Sequence, residues 1–563
     1  MSADLLERLQ AAGSDAEREW IVMEVALANL QPDVAEAAWA AAIPHWFDAP
    51  FLAALLARPL AETQPIYNHL TSLSFVERFP ERGHNIHERT RRLLLDRLWR
   101  DDAGRYRLLS RRAADFCARQ DQADTSWRIE TVYHLLVAEP EQGADELQGQ
   151  GWTWHNPPHF AYDRVEALAR ASREHADAGR TSPRGLGWTQ FWEALLEADY
   201  SRPQSARERF QRIQVDPNTD RYLAADVAFR LGSVHLALAE YPLARQRYEE
   251  AYPIYHAIGD RLNEANCIRS LGDVHLRLAE YPLARQRYEE ARPIYHAIGD
   301  RLGEANCIKS LGDVHLALAE YPLARQRYEA ARPIYHAIGD RLGEANCIMS
   351  LGEVASGLGD WEAARAAYRE ASARYHAIGD PWSEANTLDS LATSYEKQKL
   401  CERAVEIFGE AIRVYPREPL WLENRAATYL KMGDFAAAET DINAAAELQS
   451  DHPYLALRRG DFAFRKGQYD EAAGCYRKAL TDLPNLNTGH FGLGLALLCL
   501  GQAADGLAEI RRALDLTYAP REAKEFVEEL EETIAAHPGL PTLAEALALV
   551  RAWQPATPPD VGA

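Results

Sequence analysis

An all-α superhelical solenoid is the fold the sequence predicts, and three observations predict it. Residues 221–380 consist of a forty-residue unit written four times, and the second and third copies, Arg261 to Asp300 and Arg301 to Asp340, differ at only four positions. A unit this short cannot bury an apolar face alone, so neighbouring copies must stack into a continuous core. From about Glu384 the period shortens to thirty-four, with Gly433, Gly467 and Gly501 spaced by that interval. Finally, 47% of the 563 residues are apolar, yet no apolar run approaches the roughly eighteen residues that would span a bilayer.

Each copy reads as two helices. In the second copy Leu271 and Gly272 let the helices approach closely, Tyr281 opens the second helix, and Ala284, Tyr288 and Ala291 fill the space between them at helical spacing. Leu311, Gly312, Tyr321, Ala324, Tyr328 and Ala331 are the same positions forty residues on. In the shorter copies Ala404, Ala438 and Ala472 keep the small position, Phe435 and Tyr469 the aromatic one, and Pro416 and Pro484 end second helices. Gly506 and Ala503 replace the alanine and the aromatic in the last copy, as expected where a terminal repeat decays. This pattern resembles the tetratricopeptide repeat. Eight repeats are predicted from about Ala224 to Leu516, with a degenerate one at Trp188 to Ile213.

On the first helix of the second copy, Cys267, Ile268, Leu271, Gly272, His275 and Leu278 form an apolar stripe, while Asn266, Arg269, Ser270, Asp273 and Arg277 share the other face. The resemblance implies that this polar face lines a concave, partner-binding groove. Its expected residues are Asn266, Asn306, Asn346 and Asn386, the bases Arg230, Arg269, Arg277 and Lys309, and Ser270, Ser310, Asp273 and Asp313. Ser350 and Ser390 continue the serine row. An asparagine ladder can pair with the backbone of an extended peptide, since each amide both donates and accepts. Alternatively each Asn bonds a neighbour or caps its helix. The bases would attract an acidic or C-terminal carboxylate ligand. The differences between the two near-identical copies, Asn263/Gly303, Arg269/Lys309, Arg277/Ala317 and Glu290/Ala330, fall outside the expected packing set.

The first 180 residues carry no repeat. The stretch from Ile43 to Leu56, the run LSFVE at Leu73 to Glu77, and Ile86-His87-Glu88 resemble the winged-helix segment that follows the nucleotide-binding module of STAND-type signalling NTPases. Tyr106 to Gln120 and Glu130 to Leu147 are similar to the helical connector that joins that module to sensor repeats in bacterial members. The phosphate loop of that module, G-x-x-x-x-G-K-[ST], is absent. His87, the position of the family's nucleotide-sensing histidine, is therefore expected to be a structural residue at a helix start, and Glu88 replaces the usual aspartate. The expected domains are a winged-helix-like domain at 1–115, a helical connector at 116–185, a forty-residue array at 186–383, a thirty-four-residue array at 384–517, and capping helices with a tail at 518–563. Gly151 to Phe160, with two tryptophans and two prolines, reads as a packed loop.

A net charge of −22 argues against nucleic-acid binding by the whole chain. Ten arginines between Arg82 and Arg112 leave open a DNA-binding regulator controlled by a peptide, although Glu88, Asp96, Asp101 and Asp102 dilute the patch. No catalytic motif is present, and neither a cofactor nor a metal is expected. The histidine row His256, His296, His336 and His376 lacks a partner one turn away, and placement against the helix C-terminal dipole explains it. Cys267, Cys307 and Cys347 are read as buried small hydrophobes. The acidic run Glu522 to Glu532 reads as a solvated capping helix. The start of the chain lacks a signal-peptide pattern, so a cytoplasmic location is expected. The reading is a non-enzymatic interaction scaffold or sensor for a peptide or protein partner. A separate NTPase or effector chain would suit a signalling or defence system.

Overall fold

A computed structural model describes residues 3–157, 159–517 and 520–553. Among these residues there are thirty helices and one antiparallel hairpin, β1 (Val76–Phe79) and β2 (Gly83–Ile86), with Val76 opposite Ile86. None of the helices is long and apolar enough to cross a membrane. The chain divides into two compact units, Met1–Ile294 and Tyr295–Ala563.

The first unit opens with a head. Asp48 caps helix Ala49–Leu56 by accepting from the Phe51 amide at 2.8 Å, and that helix ends on Ala57 in the left-handed region. Phe47, Phe51, Leu52, Leu55, Leu94, Leu95 and Tyr106 form the head's buried core, which helices Glu88–Asp101 and Ala103–Cys117 help to build. Helices Thr125–Ala138, Pro140–His155 and Tyr162–Asp177 follow as the connector. The segment expected as a loop at Gly151 is helical through His155, because Trp154 is buried and Trp152 packs against Trp192 at 4.9 Å. Pro158 lies outside the described residues. Trp188, Phe191, Trp192 and Phe210, in the pair Pro183–Asp199 and Pro203–Arg212, join this aromatic core to Leu223 of the first full repeat.

Eight helix pairs then run from Arg221–Ala237 with Tyr241–Ile258 to Asn487–Cys499 with Ala503–Asp515. An aspartate starts many of the first helices: Asp260, Asp340 and Asp380 each accept an amide of the first turn at 3.0 Å. Ala284, Tyr288 and Ala291 are fully buried, as are Ala324, Tyr328 and Ala331. The close approach at Gly312 is real, since a Cβ there would stand 2.6 Å from Cε1 of Tyr328. One expectation fails. Gly303 belongs to the packing set, for it is buried and its Cβ would meet Tyr295 at 2.2 Å.

The second unit ends with helices Pro520–Ala536 and Pro541–Ala552. The acidic helix is half-embedded as well as solvated: Phe526 stacks on Phe491 at 4.0 Å and Leu530 is buried.

Candidate functional site

The first-helix polar face is built by second-helix tyrosines. In the second unit, the Tyr335 hydroxyl donates to Asn306 Oδ1 at 2.7 Å, and that of Tyr375 to Asn346 Oδ1 at 2.6 Å. Both tyrosines come from the YH pair near the end of the second helix and are almost fully buried. The sequence reading missed them. The signal was present, since a tyrosine follows each asparagine by twenty-nine residues in every copy.

Asn306, Lys309 and Asp313 lie half-buried along helix Arg301–Ala317. Lys309 Nζ pairs with Asp313 Oδ2 at 2.8 Å, and the other Asp313 oxygen accepts from the Tyr328 hydroxyl at 2.9 Å. Burial works against the Lys309 charge, but the Asp313 carboxylate beside it outweighs burial and raises its pKa. Sequence reasoning passed over two further carboxyl groups. Glu353, beside Lys309 and Asp313, is raised by burial and by Asp313; further along the array Asp389 is pushed up to about 6 by burial, while the Asn424 amide donating to it at 2.9 Å works the other way. Ser310 is half-buried and Ser350 buried; Ser390 is turned to the Asn386 carbonyl at 3.3 Å.

The corresponding face of the first unit is likewise engaged. Arg269 pairs with Asp273 at 2.9 Å, and the Tyr288 hydroxyl donates to Asp273 at 2.8 Å. Asn266 donates to Asn263 at 3.1 Å. In the first copy Asp226 stands where later copies have asparagine, and Tyr255 donates to it. Ser270 is only 4% exposed, so it belongs to the packed side of the helix and not to the open face. Arg230 lies over the rings of Trp152 and Phe229 at 5.2 and 5.6 Å. Arg277 is exposed in the last turn of its helix. Arg269 and Lys309 are thus each paired with a carboxylate of their own helix.

The histidine row has carboxylate partners after all. His296 Nδ1 lies 3.2 Å from Glu304, His336 3.3 Å from Glu344, and His376 3.1 Å from Glu384; His256 and Glu264 do the same at 2.9 Å. Each pair ties the end of one helix pair to the start of the next, and the spacing of eight residues was legible. The dipole explanation keeps its geometry, with Gly339 capping the helix end in the left-handed region. Among the described residues no group of His, Cys, Asp and Glu could hold a metal ion. Cys267, Cys307 and Cys347 are buried, as expected.

In the head, His87 occupies the N-cap of helix Glu88–Asp101, its ring 3.9 Å from Glu77. Much of the arginine cluster is neutralised. Arg82 pairs with Asp124, Arg89 with Glu19, Arg91 with Glu174, Arg97 with Asp101, and Arg111 with Asp115 and Glu139.

Comparison with known proteins agrees with the repeat geometry. Tetratricopeptide repeat family models match residues 222–297, 304–377 and 344–417, and then 390–453, 424–487 and 457–523. The small glutamine-rich tetratricopeptide repeat-containing protein 2 of Mycosarcoma maydis is 31% identical over 77 residues, 14% of this chain and 22% of that protein. The human RNA polymerase II-associated protein 3 is 31% identical over 91 residues, 16% of this chain and 14% of that protein. The chain therefore spans under a quarter of the length of these relatives. A STAND protein with a tetratricopeptide repeat sensor from Pyrococcus horikoshii aligns over 80% of this chain and 68% of its own, with 14% identity and a TM-score of 0.47. A Rap protein complexed with competence and sporulation factor aligns over 61% and 98%, with 15% identity and a TM-score of 0.45. With family models matching from residue 222 to 523 and a helix pair at every predicted repeat, the chain belongs to the tetratricopeptide repeat family.

Proposed function

We propose that the chain is a non-enzymatic protein-interaction scaffold or sensor, and that the first-helix face of its second unit binds an extended segment of a partner. The observation that carries this reading is the pair of tyrosine-held asparagines. With their carbonyl oxygens engaged by Tyr335 and Tyr375, Asn306 and Asn346 keep amide N–H groups to offer to peptide carbonyls. Two carboxylates, Asp313 and Glu353, stand beside Lys309, so the favoured segment carries a basic side chain. Asn386 extends the same row. In this reading the head is a winged-helix-like adaptor, the NTPase or effector is a separate chain, and the protein works in the cytoplasm.

Peptides selected from a random library on the immobilised full chain test this reading. Asn306→Ala and Asn346→Ala should each weaken the selected peptides about fivefold, the worth of a hydrogen bond of about 1 kcal/mol, with helix content retained. Full affinity in the double variant, or selection of acidic peptides, would overturn it.

A further inference from the structure

Outside the repeats, five segments of the first unit bring their charges to one buried place. The turn after helix Pro32–Ala41 supplies His45, helix Glu88–Asp101 supplies Arg91, and helix Thr125–Ala138 supplies Glu130, Tyr133 and His134. Helix Tyr162–Asp177 supplies Glu174 and His175, and the turn after it supplies Arg180. Glu130 and Arg180 are 2% and 5% exposed, and the two rings of His134 and His175 are fully buried.

The bonds run between the head and the connector. His45 bonds Glu130 through Nδ1 and lies 3.1 Å from Glu174 through Nε2. Arg91 donates to Glu174 at 2.9 Å and to the Tyr133 hydroxyl at 2.8 Å, which itself donates to Glu174 at 2.8 Å. Arg180 pairs with Asp96 and donates to the Tyr106 hydroxyl at 3.3 Å. Three cations, His45, Arg91 and Arg180, thus meet three carboxylates, Glu130, Glu174 and Asp96. That balance holds only while His134 and His175 are neutral.

The surroundings keep them neutral. His175 stacks on Tyr133 at 3.9 Å, and neither of its ring nitrogens has a hydrogen-bond partner among the described residues. His134 Nε2 lies 3.3 Å from Glu130, a carboxylate already bonded to His45. The other groups facing the two rings are Tyr106 of helix Ala103–Cys117, His45, Arg91 and Arg180, while Cys117 faces Glu130. The buried residues of the adjoining helices Pro140–His155 and Pro183–Asp199 are uncharged.

We propose that this cluster is an acid-sensitive latch: protonation of His134 and His175 releases head helices Glu88–Asp101 and Ala103–Cys117 from connector helices Thr125–Ala138 and Tyr162–Asp177. Two added protons leave the buried cluster with two uncompensated positive charges, which it cannot hold closed. Burial, together with the neighbouring cations, lowers both histidines, and Glu130 and Glu174 oppose this only in part. The opened form, in which the rings titrate normally, therefore takes up protons first as pH falls below about 6.5, and each ring shifts the equilibrium toward opening by a factor that approaches ten per pH unit. His45 works weakly the other way. Burial alone would lower it, but Glu130 and Glu174 raise it to about 9, so the closed form already holds this proton while the opened form takes it up only near 6.5, which favours closure by about twofold between pH 6.5 and 5.5. Glu130 and Glu174 are buried too, yet their cationic neighbours hold them well below the usual carboxylate range. Their effect begins only below about pH 4.5.

Segment-resolved hydrogen exchange on the full chain at pH 6.5 and 5.5, corrected for intrinsic rates, tests the latch. Helices Glu88–Asp101 and Thr125–Ala138 should lose protection by about twentyfold on acidification, while helix Tyr321–Ile338 should not. The loss should vanish in the double variant His134→Gln/His175→Phe. Unchanged protection in the wild type, or an undiminished loss in the variant, would overturn the proposal. Should the variant fail to fold, exchange of the imidazole C2 protons in the wild type decides. Both rings are expected to titrate below 6.5, and either one titrating at 6.5 or above would sink the latch.

Discussion

The head and the repeat array solve the same problem, burying polar groups, by opposite means. In the forty-residue copies the recurring polar contacts are short in sequence: Lys309 to Asp313 spans four residues, His336 to Glu344 eight, Tyr335 to Asn306 twenty-nine. In the head and connector the contacts are long and unique, from His45 to Glu130 across 85 residues and to Glu174 across 129. A repeat tolerates damage because the lost contact has copies nearby; a unique cluster has none. The largest expected effect follows from that difference. Glu130→Ala removes the buried carboxylate that pairs with His45, leaving Glu174 alone against His45 and Arg91, and should destabilise the first unit by about 3–5 kcal/mol, the usual cost of breaking a buried pair from one side. Denaturant unfolding followed by hydrogen exchange measures it, and the repeats beyond Tyr295 should be unaffected.

Acidification should separate the two regions by sign. Asp389 ionises only near 6 in the folded array, against an ordinary value of about 3.9. An acid raised by folding is ionised first in the unfolded chain, so its burden on stability appears as pH rises through that window and is absent below it. The second unit should therefore gain stability from pH 7 to 5, by about 1 kcal/mol from Asp389, with Glu353 acting in the same direction. The head should lose stability over the same range. Parallel loss in both regions would remove the contrast.

This contrast also explains what could be read from the sequence. The helix pairs, their boundaries and the buried Ala284, Tyr288 and Ala291 were legible because the repeat displays its packing positions several times. The polar face was half legible. Asn306 and Asn346 were found, but Ser270 was placed on the open face because its helical angle lies at the margin of the apolar stripe, and it is buried. Tyr335 and Glu344 were missed because each partner lies beyond one helical turn, where only the superposed copies reveal the spacing. Nothing periodic marks His45, Glu130, Glu174 or His175. Their meeting depends on tertiary folding of five segments, and no local pattern carries it.

A smaller effect probes close packing inside the array. Gly312→Ala places a methyl group 2.6 Å from the Tyr328 ring, whose hydroxyl is held by Asp313. The ring has no free direction to yield, so the cost should be about 1–3 kcal/mol, typical of overpacking. Gly339→Ala, where a Cβ meets nothing within 4 Å, isolates the backbone penalty of a left-handed residue for comparison. A Gly312→Ala variant as stable as the wild type would show that the helix pair can spread without loss.

The smallest expected effect concerns the turn that joins the two helices of each forty-residue copy. Ala239, Ala279 and Ala319 all sit there with φ near +57°, a region that costs an L-residue about 1–2 kcal/mol. The fourth copy has Gly359 at the same place with φ of +77°. Glycine removes the steric cost but adds unfolded-chain entropy of about 0.5–1 kcal/mol, so Ala319→Gly should stabilise the second unit by only about 0.5 kcal/mol. The reverse change, Gly359→Ala, should cost about the same. Because the two positions are equivalent in the repeat, the thermal shifts should be equal in size and opposite in sign. Shifts of the same sign would mean that the turn's neighbours, and not its backbone, decide which residue each copy carries.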